Sequence, residues 1–191
     1  YCPIDGNGDA LHLANSQFGM DADVLRFASA AQVVSAVARG DASVGLVPLP
    51  HDSDTPEWWA EMENVPKVQI VARLPWYVAS PNAEDVTGAL VVSTGTPEES
   101  GNDRSVLTFA CDDDVSRARF AELARENKLD AETQAVAARP DGAGGRTHLA
   151  DVAGFVAADD PRVLGLAGLL GDAEVRLLGA YAATFIDSPD T

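Results

Sequence analysis

The sequence predicts two unlike parts in succession, an α/β half and then an α+β half, and three observations support that reading. Up to about Ser93, short apolar runs alternate with helical patterns, as in a sheet covered by crossover helices. From Arg104 onwards the order is β-α-β-β-α-β, in which two helices cover one face of an antiparallel sheet. Between them, Ala89 to Ala110 (ALVVSTGTPEESGNDRSVLTFA) gives a strand, a polar break holding Gly, Pro and Glu, and a second strand. The expected division is therefore 1–97 and 98–191.

The balance of charge excludes one class of partner. Thirteen Lys and Arg against 30 Asp and Glu leave a formal charge of -17 over 191 residues, which opposes the phosphate contacts that nucleic acid requires. A small anionic ligand stays admissible, since a few local arginines or helix N-termini hold a carboxylate whatever the total charge. No apolar run approaches the ~18 residues of a membrane span, and no leader pattern opens the chain, so a cytoplasmic protein with no membrane partner is expected. Cys2 and Cys111 lie far apart and share no metal-like spacing, so they read as idle thiols; no cofactor motif appears. The chain starts at Tyr1 without methionine, and Tyr1-Cys2-Pro3 reads as the end of a strand, so a preceding segment is expected.

In the first half, Ile4 to Asp9 is turn chemistry, with Gly6 and Gly8 lacking the third glycine and Lys-Ser/Thr ending of a phosphate loop. A helix from Ala10 to Phe18 ends at Gly19, and Val24 to Phe27 reads as a short strand. Ser29 caps a helix from Ala30 to Arg39 that places Ala30, Val33, Val34 and Val37 on one face and stops at Gly40. Val44 to Val47 is an apolar strand suited to burial on both faces. Thr55-Pro56-Glu57 opens a helix carrying Trp58 and Trp59. Adjacent helical residues point different ways, so one indole is expected in the core and the other at a rim or lid; a stacking platform is the sharper reading. Val68 to Leu74 and Ala89 to Ser93 are strands, with little between Tyr77 and Ala89 to supply a crossover helix.

In the second half, Arg104 to Ala110 is a strand, and Asp112 to Asp114 is expected to cap a helix from Val115 to Glu126. Ala131 to Ala138 and Thr147 to Phe155 are strands joined by Asp141-Gly-Ala-Gly-Gly145, read as a hairpin loop. Asp160-Pro161 starts a helix that Gly171 ends, and Val175 to Tyr181 is the last strand. His12, His51 and His148 are scattered without carboxylate or cysteine partners at ligand spacing, so no metal site is expected. Neither a nucleophile elbow nor a Cys/His signature is present, and the residues alone identify no catalytic constellation.

The second half resembles the ACT regulatory domain found at the end of prephenate dehydratases. Four segments carry the likeness: Ser100-Gly-Asn-Asp-Arg-Ser-Val-Leu107, Ala137-Ala138-Arg139-Pro140, Asp151-Val-Ala-Gly154 and Leu177-Leu-Gly-Ala-Tyr181. The first half resembles one lobe of the dehydratase catalytic domain, which has a periplasmic-binding-like fold, through Tyr1-Cys-Pro-Ile-Asp-Gly6 and Val37-Ala-Arg-Gly-Asp-Ala-Ser-Val-Gly-Leu-Val-Pro48. The resemblance implies a truncated lobe, with the family's second lobe reduced after about Tyr77. Where the family carries the Thr-Arg-Phe motif of its catalytic threonine, this chain reads Thr87-Gly88-Ala89, so Thr87 is a vestigial candidate only. Where the family's phenylalanine site reads Glu-Ser-Arg-Pro, Arg139 and Pro140 remain as ligand-binding candidates.

The whole pattern, with Trp58-Trp59 and Val71-Ala-Arg-Leu-Pro75, is most similar to the C-terminal region of alphaproteobacterial chorismate mutase proteins. That implies a regulatory, dimer-forming module with an upstream mutase domain in the same polypeptide and an aromatic amino acid or prephenate as ligand. A minimal prephenate dehydratase using Thr87 is the alternative it leaves open.

Overall fold

The computed structural model describes residues 8–19, 23–51, 58–78, 88–112, 115–139 and 144–186. The first half holds α1 (Gly8–Phe18), α2 (Ala30–Arg39), β1 (Val44–Pro48), α3 (Trp58–Asn64), β2 (Gln69–Leu74), β3 (Tyr77–Val78) and β4 (Ala89–Ser93). The second holds β5 (Asp103–Cys111), α4 (Arg117–Glu126), β6 (Ala131–Ala138), β7 (Arg146–Ala153), α5 (Pro161–Leu169), β8 (Glu174–Ala182) and β9 (Phe185–Ile186).

Local chemistry sets the helix ends. The Ser29 hydroxyl accepts the Gln32 amide at 3.3 Å, and Gly40 closes α2 in the left-handed region at φ 82°. Asp160 caps α5 with Pro161 in its first turn, as the sequence predicts. The cap of α4 is a correction: Ser116, not Asp112, accepts the Arg119 amide, while Asp113 and Asp114 lie outside the described residues. A hydroxyl one residue before the helix reaches the free amides, whereas Asp112 lies further back and turns to an arginine instead.

β8, β5, β7 and β6 form an antiparallel sheet in that spatial order, and α4 and α5 cover one face with Leu107, Phe109, Phe120, Leu123, Val163 and Leu166. The β-α-β-β-α-β expectation is met in order and pairing. The first half differs from its expected parallel sheet. β4 lies between β1 and β2 and runs antiparallel to both. Only 14 residues (75–88) join β2 to β4, and two of them form β3, so the connection is short for the crossover that a parallel neighbour needs. Val24 to Phe27 makes only an isolated bridge at Phe27, because four residues without a continuous ladder do not hold a strand.

The two sheets are one. β2 runs beside β8 in parallel, paired at Ile70 and Gly179, so seven strands follow the order β1-β4-β2-β8-β5-β7-β6. A shared core covers the second sheet face: Val106, Ala135, Ala137 and Leu149 belong to the same cluster as Trp58, Trp59, Met62 and Ile70. Both tryptophans are therefore buried, at 3% and 1% exposure, and neither forms a rim or platform. α3 is flanked by α2 and by β8, so neighbouring residues find cover on different sides of the helix.

Candidate functional site

Three strand ends converge around Arg139. This residue follows β6 directly, and its guanidinium donates to the Asp112 carboxylate at the end of β5. The arginine side chain is 15% exposed and the aspartate 83%. Opposite them, Gly145 leads into β7 at φ 77°, where an added Cβ would stand 2.0 Å from the Cys111 carbonyl oxygen. Only glycine lets these strand ends come so close.

The first half reaches the same place through α3. Burial pushes the Glu63 carboxyl above its ordinary range, while a hydrogen bond from the Thr108 hydroxyl and the charges of Arg176 and Arg139 oppose the rise. Arg176 donates to the Glu63 main-chain carbonyl at 3.3 Å and to the Glu174 carboxylate at 2.6 and 3.1 Å. Two guanidinium groups thus stand among three carboxylates. Such an arrangement can take a zwitterion, the carboxylate on an arginine and the ammonium on an acid, at little change in net charge.

A second polar centre lies deeper and ties four strands together. Asp151 on β7 accepts from Arg104 Nε of β5 at 2.6 Å and from the Tyr181 hydroxyl of β8. Arg73 of β2 reaches that hydroxyl at 3.5 Å, while Arg104 Nη2 also donates to the Asp151 main-chain carbonyl at 3.2 Å. Asp151 and Tyr181 are each 4% exposed. Burial, and then the Asp151 charge, raises the Tyr181 pKa and keeps the phenol a donor. A buried carboxylate is tolerated because its hydrogen bonds replace lost water. This centre bonds the two halves to each other.

Of the residues predicted for a site, Arg139 stands in the charged cluster with Asp112, whereas Thr87 and Pro140 lie outside the described residues. His148 is buried, bonds the Val115 carbonyl through Nε2 at 2.9 Å and stacks on Phe120 with centroids 4.9 Å apart. Among the described residues no three His, Cys, Asp or Glu side chains converge as metal ligands. Sequence reasoning missed Glu63, Arg176, Arg104 and Asp151. Asp151 did carry a signal: it is a charged residue within Leu149-Ala-Asp-Val-Ala153, an otherwise apolar strand. Glu63 carried none, because it comes near Thr108 and Arg176 only after the two halves pack.

No family model matches the chain, and no curated protein matches it in sequence. Solved structures do match in fold over nearly its whole length. GqqA, described as a novel type of quorum quenching acylase, aligns with a TM-score of 0.63 at 16% identity, over 95% of this chain and 93% of its own. Prephenate dehydratase from Streptococcus mutans gives 0.61 at 17%, over 97% of this chain and 98% of its own. The prephenate dehydratase from Arthrobacter aurescens in complex with L-Phe gives 0.60 at 14%, over 96% and 89%. Identities this low speak for architecture alone. The chain has a mixed α/β fold of the kind seen in prephenate dehydratase structures.

Proposed function

We propose that this chain is a non-catalytic regulatory and dimerisation module of a chorismate mutase-type protein in phenylalanine and tyrosine biosynthesis, and that it binds an aromatic amino acid. The division into 1–97 as the dehydratase-like lobe and 98–191 as the ACT-like domain belongs to the same reading, as does an upstream mutase domain. The observation that carries it is the Arg139–Asp112 pair. A largely covered guanidinium is paired there with a carboxylate that is 83% exposed, which an incoming carboxylate can replace without leaving a charge buried alone. Glu63 beside it suits the ammonium group. The L-Phe complex of a dehydratase with this fold supports the choice of ligand. The reading Thr87-Gly88-Ala89, without the family's arginine and aromatic, supports the loss of dehydratase chemistry.

Calorimetric titration with phenylalanine, tyrosine, tryptophan and prephenate is the test. One of the amino acids should bind, and at about 100 times its Kd it should stabilise the fold by about 2.7 kcal/mol. Arg139→Ala should abolish the heat and, because the side chain is only 15% exposed, also lower the ligand-free unfolding midpoint; Arg139→Lys, which keeps the charge but loses the forked donor, should weaken binding with a smaller loss of stability. Silence from all four compounds would remove the ligand reading. Phenylpyruvate formation from prephenate that disappears in Thr87→Ala would replace it with a dehydratase.

A further inference from the structure

The outer strands of the seven-stranded sheet are poor places for a second chain to join. On β6, Arg117 of α4 donates to the main-chain carbonyl of Thr133 at 2.7 Å and to that of Gln134 at 3.4 Å, at the irregularity where the β6–β7 register shifts. Carbonyls already held by a guanidinium do not extend a ladder. At the opposite edge β1 ends in Pro48, which has no N–H to give.

A different surface is prepared for contact. The small parallel pair β3–β9 stands apart from the main sheet and is fixed by the Phe185 amide on the Trp76 carbonyl at 2.9 Å. It presents Trp76, Tyr77 and Phe185 at 51%, 52% and 66% exposure, and the rings of Tyr77 and Phe185 stack with centroids 6.1 Å apart and planes at 12°. Adjoining aromatics this exposed are unusual outside interfaces, whereas single exposed apolar residues are common. The two described stretches that build the patch, 74–78 and 177–186, contain no Asp, Glu, Lys or Arg, although charged residues make up 23% of the chain.

We propose that Trp76, Tyr77 and Phe185 form the contact through which two copies of this chain pair, an inference that rests on the dimer reading above and assigns its surface. Charge favours this occupant. Two molecules of charge -17 repel over most of their surfaces, so a neutral aromatic patch is where like copies can touch without setting acid against acid. The pairing is isologous, with the same rings from each copy facing one another across a two-fold axis.

Sedimentation equilibrium over a range of concentration and salt tests the surface. The wild-type chain should dimerise, and more tightly as ionic strength rises from about 0.05 to 0.5 M, because salt screens the mutual repulsion. Trp76→Ser and Phe185→Ser should each weaken the dimer about tenfold or more, while Leu164→Ser, at an exposed leucine on α5, should leave it unchanged. Near-UV circular dichroism from the buried Trp58 and Trp59 confirms that each variant is folded. Trp76 supplies a second readout, since iodide quenching of its fluorescence should fall as the dimer forms. Patch variants that pair as well as wild type would overturn this surface and leave the dimer reading standing. A wild-type chain that stays monomeric at every concentration and salt would overturn both, and self-association that tightens at low salt would overturn this surface, because it would mean that oppositely charged groups, not a neutral patch, join the copies.

Discussion

Gly179 sits at φ 141° where β8 meets β2, and an added Cβ would fall 2.2 Å from the Ile70 carbonyl oxygen and 2.4 Å from its nitrogen. Both obstacles are main chain, so neither can swing aside. Gly179→Ala should therefore cost at least about 1–3 kcal/mol, read as a lower denaturant midpoint, through overpacking and strain. Two aspartates give the chain an acid-sensitive component. The side chain and amide of Arg162 hold Asp160 at about 2. For Asp103, burial pushes upward, but the Ser100 hydroxyl and the Ser100 and Gly101 amides outweigh it and leave the pKa lowered. A carboxylate depressed by folding adds stability above its unfolded pKa of about 3.9 and loses it as pH falls through the folded value. Stability should thus decline from about pH 4 towards pH 2, and Asp160→Asn should flatten that limb; an unchanged slope would show that the Arg162 pair contributes nothing. At this scale the sequence discloses the caps of α2 and α5, whose partners are local. It hides Glu63 and Arg104, whose partners come from distant elements.

Among elements, α2 shows how much a short segment decides for itself. Its hydroxyl cap, apolar face and left-handed glycine are all within twelve residues, and the helix forms between those limits. Ser29→Ala should lower stability by about 1 kcal/mol in equilibrium unfolding, while a loss below a few tenths would mean the cap is redundant. The strands of the second half were legible for a similar reason, since their apolar runs and turn residues are contiguous. Three readings differ from the structure where the environment lies elsewhere in the chain. Trp58 and Trp59 were assigned different fates from helical geometry alone, but α3 is covered by α2 on one side and β8 on another. The direction of β4 depends on how the chain returns from β2, which apolar content does not encode. Val24 to Phe27 has the composition of a strand and, among the described residues, no ladder to join.

Across the whole molecule, the division at residues 97 and 98 marks a change of pattern, but the sheet and one core continue through it. Val106, Ala135, Ala137 and Leu149 are covered by residues from the first half, and the Arg73–Tyr181–Asp151–Arg104 chain bonds across the join. Denaturant unfolding followed by tryptophan fluorescence, dominated by Trp58 and Trp59, should therefore coincide with unfolding followed by far-ultraviolet dichroism. Separate midpoints would mean that the halves melt independently. Pattern reading recovered each half because periodicity is local, and it missed their union because the single pair between Ile70 and Gly179 leaves no trace in composition. The place of β8 also bears on how the protein is made. This strand stands between β2 and β5, yet it is almost the last to be synthesised, 108 residues after the end of β2 (182 minus 74). At about 5–20 residues per second, β2 waits roughly 5–20 s for its neighbour. During that interval the nascent first half carries an unfinished sheet edge and an uncovered apolar face, which are the features a chaperone binds.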